Sequence, residues 1–195
     1  MKTFTEYLGT RYDDPMFRAK FQKIVGGEVE RINLIVQQLL DFAKPVPPKL
    51  APVEISRLLD ETVELLGGEC VQRQVQVTRT YLGKAFVLGD SQQLKQVFIN
   101  LLLNSLDAMN GAGRVEIQTE IQGAELVIRV HDNGQGIASK DFPHIFEPFF
   151  TTKPTGTGLG LSVVHGIISE HRGRIQVQSR PHQGTTMTIF LPVAV

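Results

Sequence analysis

Asn100 and Asn104 lie four residues apart in the segment QVFINLLLNSLDAM, so on a helix they project from one face. An amide oxygen can ligate a hard divalent cation without adding charge, and Mg²⁺ favours oxygen donors with retained waters. Asp107, three residues beyond Asn104, falls on the same face and can orient a water or a metal-bound group. Taken alone, such a pair more often decorates or caps an amphipathic helix. A second group follows. Asp132 closes the strand-like run LVIRVHD and opens DNGQGI. A carboxylate at a strand's end can accept a hydrogen bond from an exocyclic amine such as that of adenine. Gly134 and Gly136 permit positive φ and close approach of the backbone to a flat ligand. A D-N-G hairpin turn is the simpler reading of that tripeptide in isolation.

The third group is GTGLGL: Gly156, Thr157, Gly158, Leu159 and Gly160 run into the apolar helical stretch SVVHGII. Glycines leave backbone N–H groups bare, and a helix N-terminus adds partial positive charge, which together favour phosphates. No Gly-Lys-Ser/Thr follows, so this is not a Walker loop, and no strand leads into it as a dinucleotide fingerprint requires. Between the second and third groups lies IASKDFPHIFEPFFTTKPT. So long a loop inside a compact domain is unusual unless it is functional. Its four phenylalanines either dock it on the body as a lid when ligand is present or serve as ordinary core. Lys153, near its end, either reaches a β- or γ-phosphate or is a solvated charge.

These groups need a scaffold, and residues 54–195 supply one. A helix is expected over about Glu54–Gln72, strands over Gln74–Tyr81 and Ala85–Leu88, and a helix over Ser91–Asn110. A hairpin of Arg114–Ile121 and Glu125–His131 turns at Gln122–Gly123–Ala124. A helix running from the second glycine cluster to Glu170 precedes two strands, Arg174–Ser179 and Thr185–Leu191. Elements in blocks with hairpins predict a two-layer α/β sandwich with a mixed sheet under one helical layer.

Upstream, Phe17, Phe21, Val25, Val29, Ile32, Val36 and Leu39 recur at helical spacing between Pro15 and Lys44. A helix of about thirty residues is about 45 Å long, and Gly26-Gly27 makes a soft point in it. With a helical stub over Lys2–Leu8 it forms a hairpin over residues 1–45, whose apolar stripe needs a partner; a homodimeric bundle is the simplest. Residues 46–53, from PVPPKLAP, read as a proline-rich linker.

The 195 residues carry 42% apolar and 21% charged side chains, globular values. Twenty basic residues balance twenty acidic ones, which argues against a bulk electrostatic grip on nucleic acid or anionic membrane. No apolar run reaches bilayer-spanning length, and the start has no signal-peptide pattern. Cys70 is the single cysteine, which fits a reducing compartment and an expected cytoplasmic location.

In order and spacing these pieces resemble the Bergerat-fold ATP-binding superfamily, which includes two-component sensor histidine kinases, type II topoisomerases, heat-shock chaperones and mismatch-repair ATPases. The N box corresponds to Asn100–Met109, the first glycine box to DNGQG, the F box to IFEPFFTTK and the second glycine box to GTGLG. Thr185, in GTTMTIFLP, matches the threonine that supports the adenine-binding aspartate. Four ordered motifs covering nearly all of residues 50–195 are specific where each alone is weak. The ATPase branches place a water-activating glutamate where this chain has Asn100, a poor general base, so the histidine kinase branch is the better match. VERINLIVQQLLDFAKP likewise resembles the second helix of that branch's dimerisation and phosphoacceptor domain.

The resemblance implies the following roles. Asp132 binds adenine, with Asn104 on Mg²⁺. Lys153 and the second glycine box hold the phosphates of ATP, Asp107 orients a water or a metal-bound group, and Asn100 aligns the metal or the acceptor. The γ-phosphoryl then passes to a histidine and on to an aspartate of a response regulator. An anti-sigma-factor type serine kinase of the same fold and a catalytically silent dimerisation module are the rival readings. Three departures stand out. The phosphoacceptor histidine is missing, since His131, His144, His165, His171 and His182 all fall in the ATP-binding region; a fragment of a longer sensor protein is expected. Ser105 stands where alanine is usual, read as a mild change. Arg172 stands where glycine is usual.

Overall fold

Alternating side chains build the sheet that carries the site. A computed structural model describes residues 16–18, 21, 25, 47–109, 111–153 and 156–194, and the chain divides into two units, Met1–Pro45 and Val46–Val195. In the first unit residues 16–18, 21 and 25 are helical, and the Phe17 and Phe21 rings stack with centroids 6.1 Å apart. The rest of the expected hairpin, with its stub and glycine pair, lies outside the described residues.

In the second unit the order is β1 (Ala51–Glu54), α1 (Ile55–Leu65), α2 (Gly67–Gln72), β2 (Val75–Leu82), β3 (Phe86–Gly89), α3 (Ser91–Asp107), β4 (Gly113–Gln122), β5 (Glu125–Asp132), α4 (Gly160–Glu170), β6 (Arg174–Ser179) and β7 (Thr185–Pro192). Five strands form one sheet in the order β2-β4-β5-β7-β6. β2 runs parallel to β4, and the other neighbours are antiparallel, so the sheet is mixed as expected. Helices α1, α3 and α4 contribute Leu58, Leu59, Leu94, Phe98, Leu101, Val164 and Ile168 to one core with Val115, Ile117, Leu126, Ile128, Met187 and Ile189 of the sheet. This is a two-layer α/β sandwich.

Two features depart from the local pattern. The helix expected over Glu54–Gln72 breaks at Leu66, ahead of Gly67-Gly68, into α1 and α2; two consecutive glycines cost about 2 kcal/mol inside a helix relative to alanine. β1 was not anticipated, because Pro52 reads as a strand breaker. It forms a two-stranded pair with β3, in which Pro52 lies opposite Leu88, the edge setting where proline is tolerated.

Helix α3 is firmly started. Asp90 caps it by accepting from the N–H groups of Gln92 and Gln93 at 2.9 and 3.2 Å, and its other oxygen accepts from Lys49 N–H. Burial pushes this carboxyl up, but the three backbone donors outweigh it, so its pKa lies below the ordinary value. Its own N–H donates to Nε2 of buried His171, whose Nδ1 donates to the Ile167 carbonyl. His171 therefore sews the end of α4 to the start of α3.

Candidate nucleotide site

Strand register carries Asp132 inward. Leu126, Ile128 and Val130 of β5 face the helices, and Asp132 continues their parity, so its carboxylate is only 4% exposed. Thr185 stands directly opposite on β7. The N–H groups of Gly134 and Thr185 donate to Asp132 Oδ1 at 2.9 and 3.2 Å. Oδ2 receives one long bond, from Ser105 Oγ of α3 at 3.4 Å. The backbone thus satisfies one carboxylate oxygen and leaves the other with only the long bond from Ser105. Burial raises the Asp132 pKa by more than the Gly134 and Thr185 N–H donors, nearby His131 and Ser105 lower it, so it lies above the ordinary aspartate value.

Thr185 supports the aspartate through its amide. Its hydroxyl lies 2.9 Å from Ser179 Oγ, which donates to the Gly184 carbonyl and accepts from Ile137 N–H at 2.8 Å. Gly184 has φ +84°, and a Cβ there would overlap the Asp132 carbonyl oxygen, so the turn before Thr185 has room only for glycine. The DNGQGI loop is pinned on both flanks: Gln135 N–H donates to the Ala108 carbonyl just past α3, and the Gln135 carbonyl accepts from His182 N–H. The first glycine box is thereby locked to the N-box helix and to the β6–β7 turn. Gly136, at φ +70°, lies in this loop.

On α3 the core face takes Phe98, Leu101, Leu102, Ser105 and Leu106, which leaves Asn100, Asn104 and Asp107 along its flank. The second glycine box meets that flank. Asn100 Nδ2 donates to the Gly160 carbonyl at 3.4 Å, in the first turn of α4. Helix α4 has no side-chain N-cap, and a helix N-terminus favours an anion. Leu159 is buried ahead of it, and its N–H donates to the Thr157 hydroxyl at 3.3 Å. Gly158, at φ +69°, leaves no space for a side chain against the Phe149 backbone, which ties the second glycine box to the lid; Gly156 packs likewise against Thr151.

The lid itself is a series of turns. N–H groups of Asp141, His144, Glu147 and Phe150 each bond the carbonyl three residues earlier. Its anchor is Ile145, at 6% exposure, and none of the four phenylalanines is fully buried; Phe149 is 62% exposed. Lys153 at its end is paired: Nζ lies 2.9 Å from Asn104 Oδ1 and 3.0 Å from Asp107 Oδ2. Asp107 Oδ1 in turn takes Arg73 Nη1 at 2.8 Å.

Asn100, Asn104, Asp107, Lys153 and Gly160 therefore meet along the flank of α3, and Asp132, Gly134 and Thr185 meet at the end of β5. Gly136 instead packs on Arg180 and Ser179, Gly156 on Thr151 and Gly158 on Phe149. Two oxygens, one amide and one carboxylate, already converge on a single ammonium, which is the donor chemistry a divalent cation on a phosphate tail needs. Among the described residues no three His, Cys, Asp or Glu side chains converge as a metal cage. Sequence reasoning missed Ser179 and Arg73, whose partners are distant in the chain. It also undervalued Ser105; a hydroxyl on the leucine-rich face of α3 was the available signal, since buried polar groups find partners.

The family described as histidine kinase-, DNA gyrase B-, and HSP90-like ATPase matches residues 89–195. Along its whole length the chain is 36% identical to the sensor histidine kinase ZraS of Escherichia coli (strain K12), and it spans 42% of that protein. Among solved structures, histidine kinase ThkA in complex with response regulator protein TrrA superposes with a TM-score of 0.84 at 26% identity, covering 99% of this chain and 56% of that one. Full-length ShkA in complex with AMPPNP gives 0.79 at 25% identity, covering 91% of this chain and 39% of that one. The motifs, the mixed-sheet sandwich and these matches agree: the chain belongs to the histidine kinase-, DNA gyrase B- and HSP90-like ATPase family.

Proposed function

We propose that this chain is the ATP-binding catalytic portion of a sensor histidine kinase. It transfers the γ-phosphoryl of Mg-ATP to a histidine outside this chain, for relay to a response-regulator aspartate. The observation that carries the reading is the buried Asp132 carboxylate, with Oδ1 held by two backbone N–H groups and Oδ2 left to accept from the adenine amine. The AMPPNP bound by ShkA and the regulator bound by ThkA support the nucleotide and the partner.

Asn104 and Asp107 hold the metal side of the phosphate tail. Mg²⁺, when bound there, would supply neutralisation of phosphate charge. Lys153 and the N–H groups of Gly156–Gly160 hold the remaining phosphate oxygens, and the lid excludes water. Asn100 fixes the second glycine box against α3 and aligns the acceptor. An amide at this position supplies no base to activate water, and phosphoryl transfer to an imidazole needs positioning and charge neutralisation more than a base. We assign residues 1–45 to a dimerising hairpin, 46–50 to a linker and 51–195, from β1 onward, to catalysis, in a protein working in the cytoplasm. No helix among the described residues is long and apolar enough to cross a membrane.

The test supplies γ-labelled ATP, Mg²⁺ and a separate helical hairpin bearing an acceptor histidine. Label on histidine is expected. Label on serine would favour a serine kinase of the same fold, and nucleotide binding with no transfer would favour a silent dimerisation module.

A further inference from the structure

Lys153 is held by the two groups that the proposed function assigns to the metal side of the phosphates. Its ammonium lies 2.9 Å from the Asn104 amide oxygen and 3.0 Å from an Asp107 carboxylate oxygen. We propose that Lys153 is a resident cation: in the nucleotide-free protein it occupies the metal position, and binding of Mg-nucleotide exchanges it onto the phosphates. This rests on the nucleotide reading above and adds a step that reading does not contain.

Three observations support the exchange. First, the two oxygens come from successive turns of α3, so their convergence is fixed by a helix and does not depend on the lid. Second, Asp107 is oriented for the role: Arg73 binds its Oδ1 at 2.8 Å while Arg73 Nε binds Glu69 at 3.2 Å, which leaves Oδ2 to the ammonium. Arg73 is thus a positioning residue, acting through Asp107. Third, the pair is made to come apart. The Lys153 and Asp107 side chains are 30% and 38% exposed, and ion pairs so open to water are weak. A divalent ion attracts the same oxygens about twice as strongly at equal distance, and phosphate oxygens give the ammonium a charge-assisted partner in return.

The exchange couples metal to lid. Lys153 N–H is bonded to Thr151 Oγ1 at 3.1 Å, and Thr151 packs against Gly156 of the second glycine box. When the ammonium leaves Asn104, Lys153, and Thr151 bonded to it, lose this contact with α3.

Mn²⁺ serves as the probe, with binding to the nucleotide-free protein followed by water-proton relaxation. Wild type should bind it weakly. Lys153→Met should bind it at least about tenfold more tightly, because two oxygens lose their internal cation, and Lys153→Gln should do the same should the Met variant fold poorly. Lys153→Arg should stay near wild type, and Lys153→Met combined with Asp107→Asn should lose the gain. ADP titration of wild type with Mg²⁺ tests the nucleotide reading separately. If wild type fails to bind ADP, that reading falls and the exchange with it. If it binds ADP while both Lys153→Met and Lys153→Gln hold Mn²⁺ no more tightly than wild type, the exchange alone is overturned.

Discussion

The two ends of the candidate site are built on different physics. At the base end, Asp132 sits in strand register, buried, with its partners drawn from backbone N–H groups and a buried hydroxyl. At the phosphate end, Asn104, Asp107 and Lys153 are partly exposed side chains held by one another. Backbone in a five-stranded sheet cannot shift without breaking the ladder, whereas long charged side chains exchange partners at small cost. The difference suits a ligand whose base is recognised in a fixed slot and whose phosphates arrive with a cation and must be enclosed.

The largest effect should come from breaking the fixed end. Gly184→Ala puts a Cβ against the Asp132 carbonyl at φ +84°, and should destabilise by about 3 kcal/mol in denaturant melts. At the phosphate end, Asp107→Ala should stay within about 0.5 kcal/mol of wild type, because its ion pairs are exposed. A loss as large as that of Gly184→Ala would erase the contrast between the ends.

Proton linkage sharpens it further. Because burial raises the Asp132 pKa in the folded protein, this carboxyl contributes stability that is fully present below the unfolded aspartate pKa. That contribution is lost as pH rises through the raised value. The stability of Asp132→Asn relative to wild type should therefore improve from about pH 4 to about pH 7, followed by urea melts at each pH. A constant difference would mean the site does not desolvate the carboxylate as its burial indicates.

Smaller changes test the supports. Arg172 holds φ +57° just beyond α4, a conformation that costs a side-chain-bearing residue about 1 kcal/mol. Arg172→Gly should raise stability by about that much and leave ADP affinity unchanged. Ser105→Ala removes the long bond to Asp132 Oδ2 and should weaken ADP binding by about threefold with a stability change under about 1 kcal/mol.

Much of this was legible in the chain because it is periodic. The alternation in LVIRVHD places Asp132 at a core-facing position, and the spacing of Asn100, Asn104 and Asp107 places them on one helical flank. What escaped depends on contacts between distant segments. Arg73 meets Asp107 across 34 residues of chain and Ile137 meets Ser179 across 42, pairings no local pattern encodes. β1 hid behind its proline because edge pairing is a property of the neighbour, Phe86–Gly89, as much as of Ala51–Glu54 itself. The long loop between β5 and α4 was legible from its lack of period, but its succession of turns was not, since each rests on a single local N–H to carbonyl bond. Thr185 was found through the resemblance, which does not say which of its groups acts; it reaches Asp132 through its amide, and its hydroxyl lies against Ser179.

The central claim is that the buried carboxylate of Asp132 is the base-recognition group. Calorimetric titration of ADP with Mg²⁺ into wild type and Asp132→Asn tests it most directly. Replacing a charged acceptor should weaken binding by roughly tenfold to a hundredfold, with the fold intact by circular dichroism. Equal affinity in a folded Asp132→Asn protein would contradict the account.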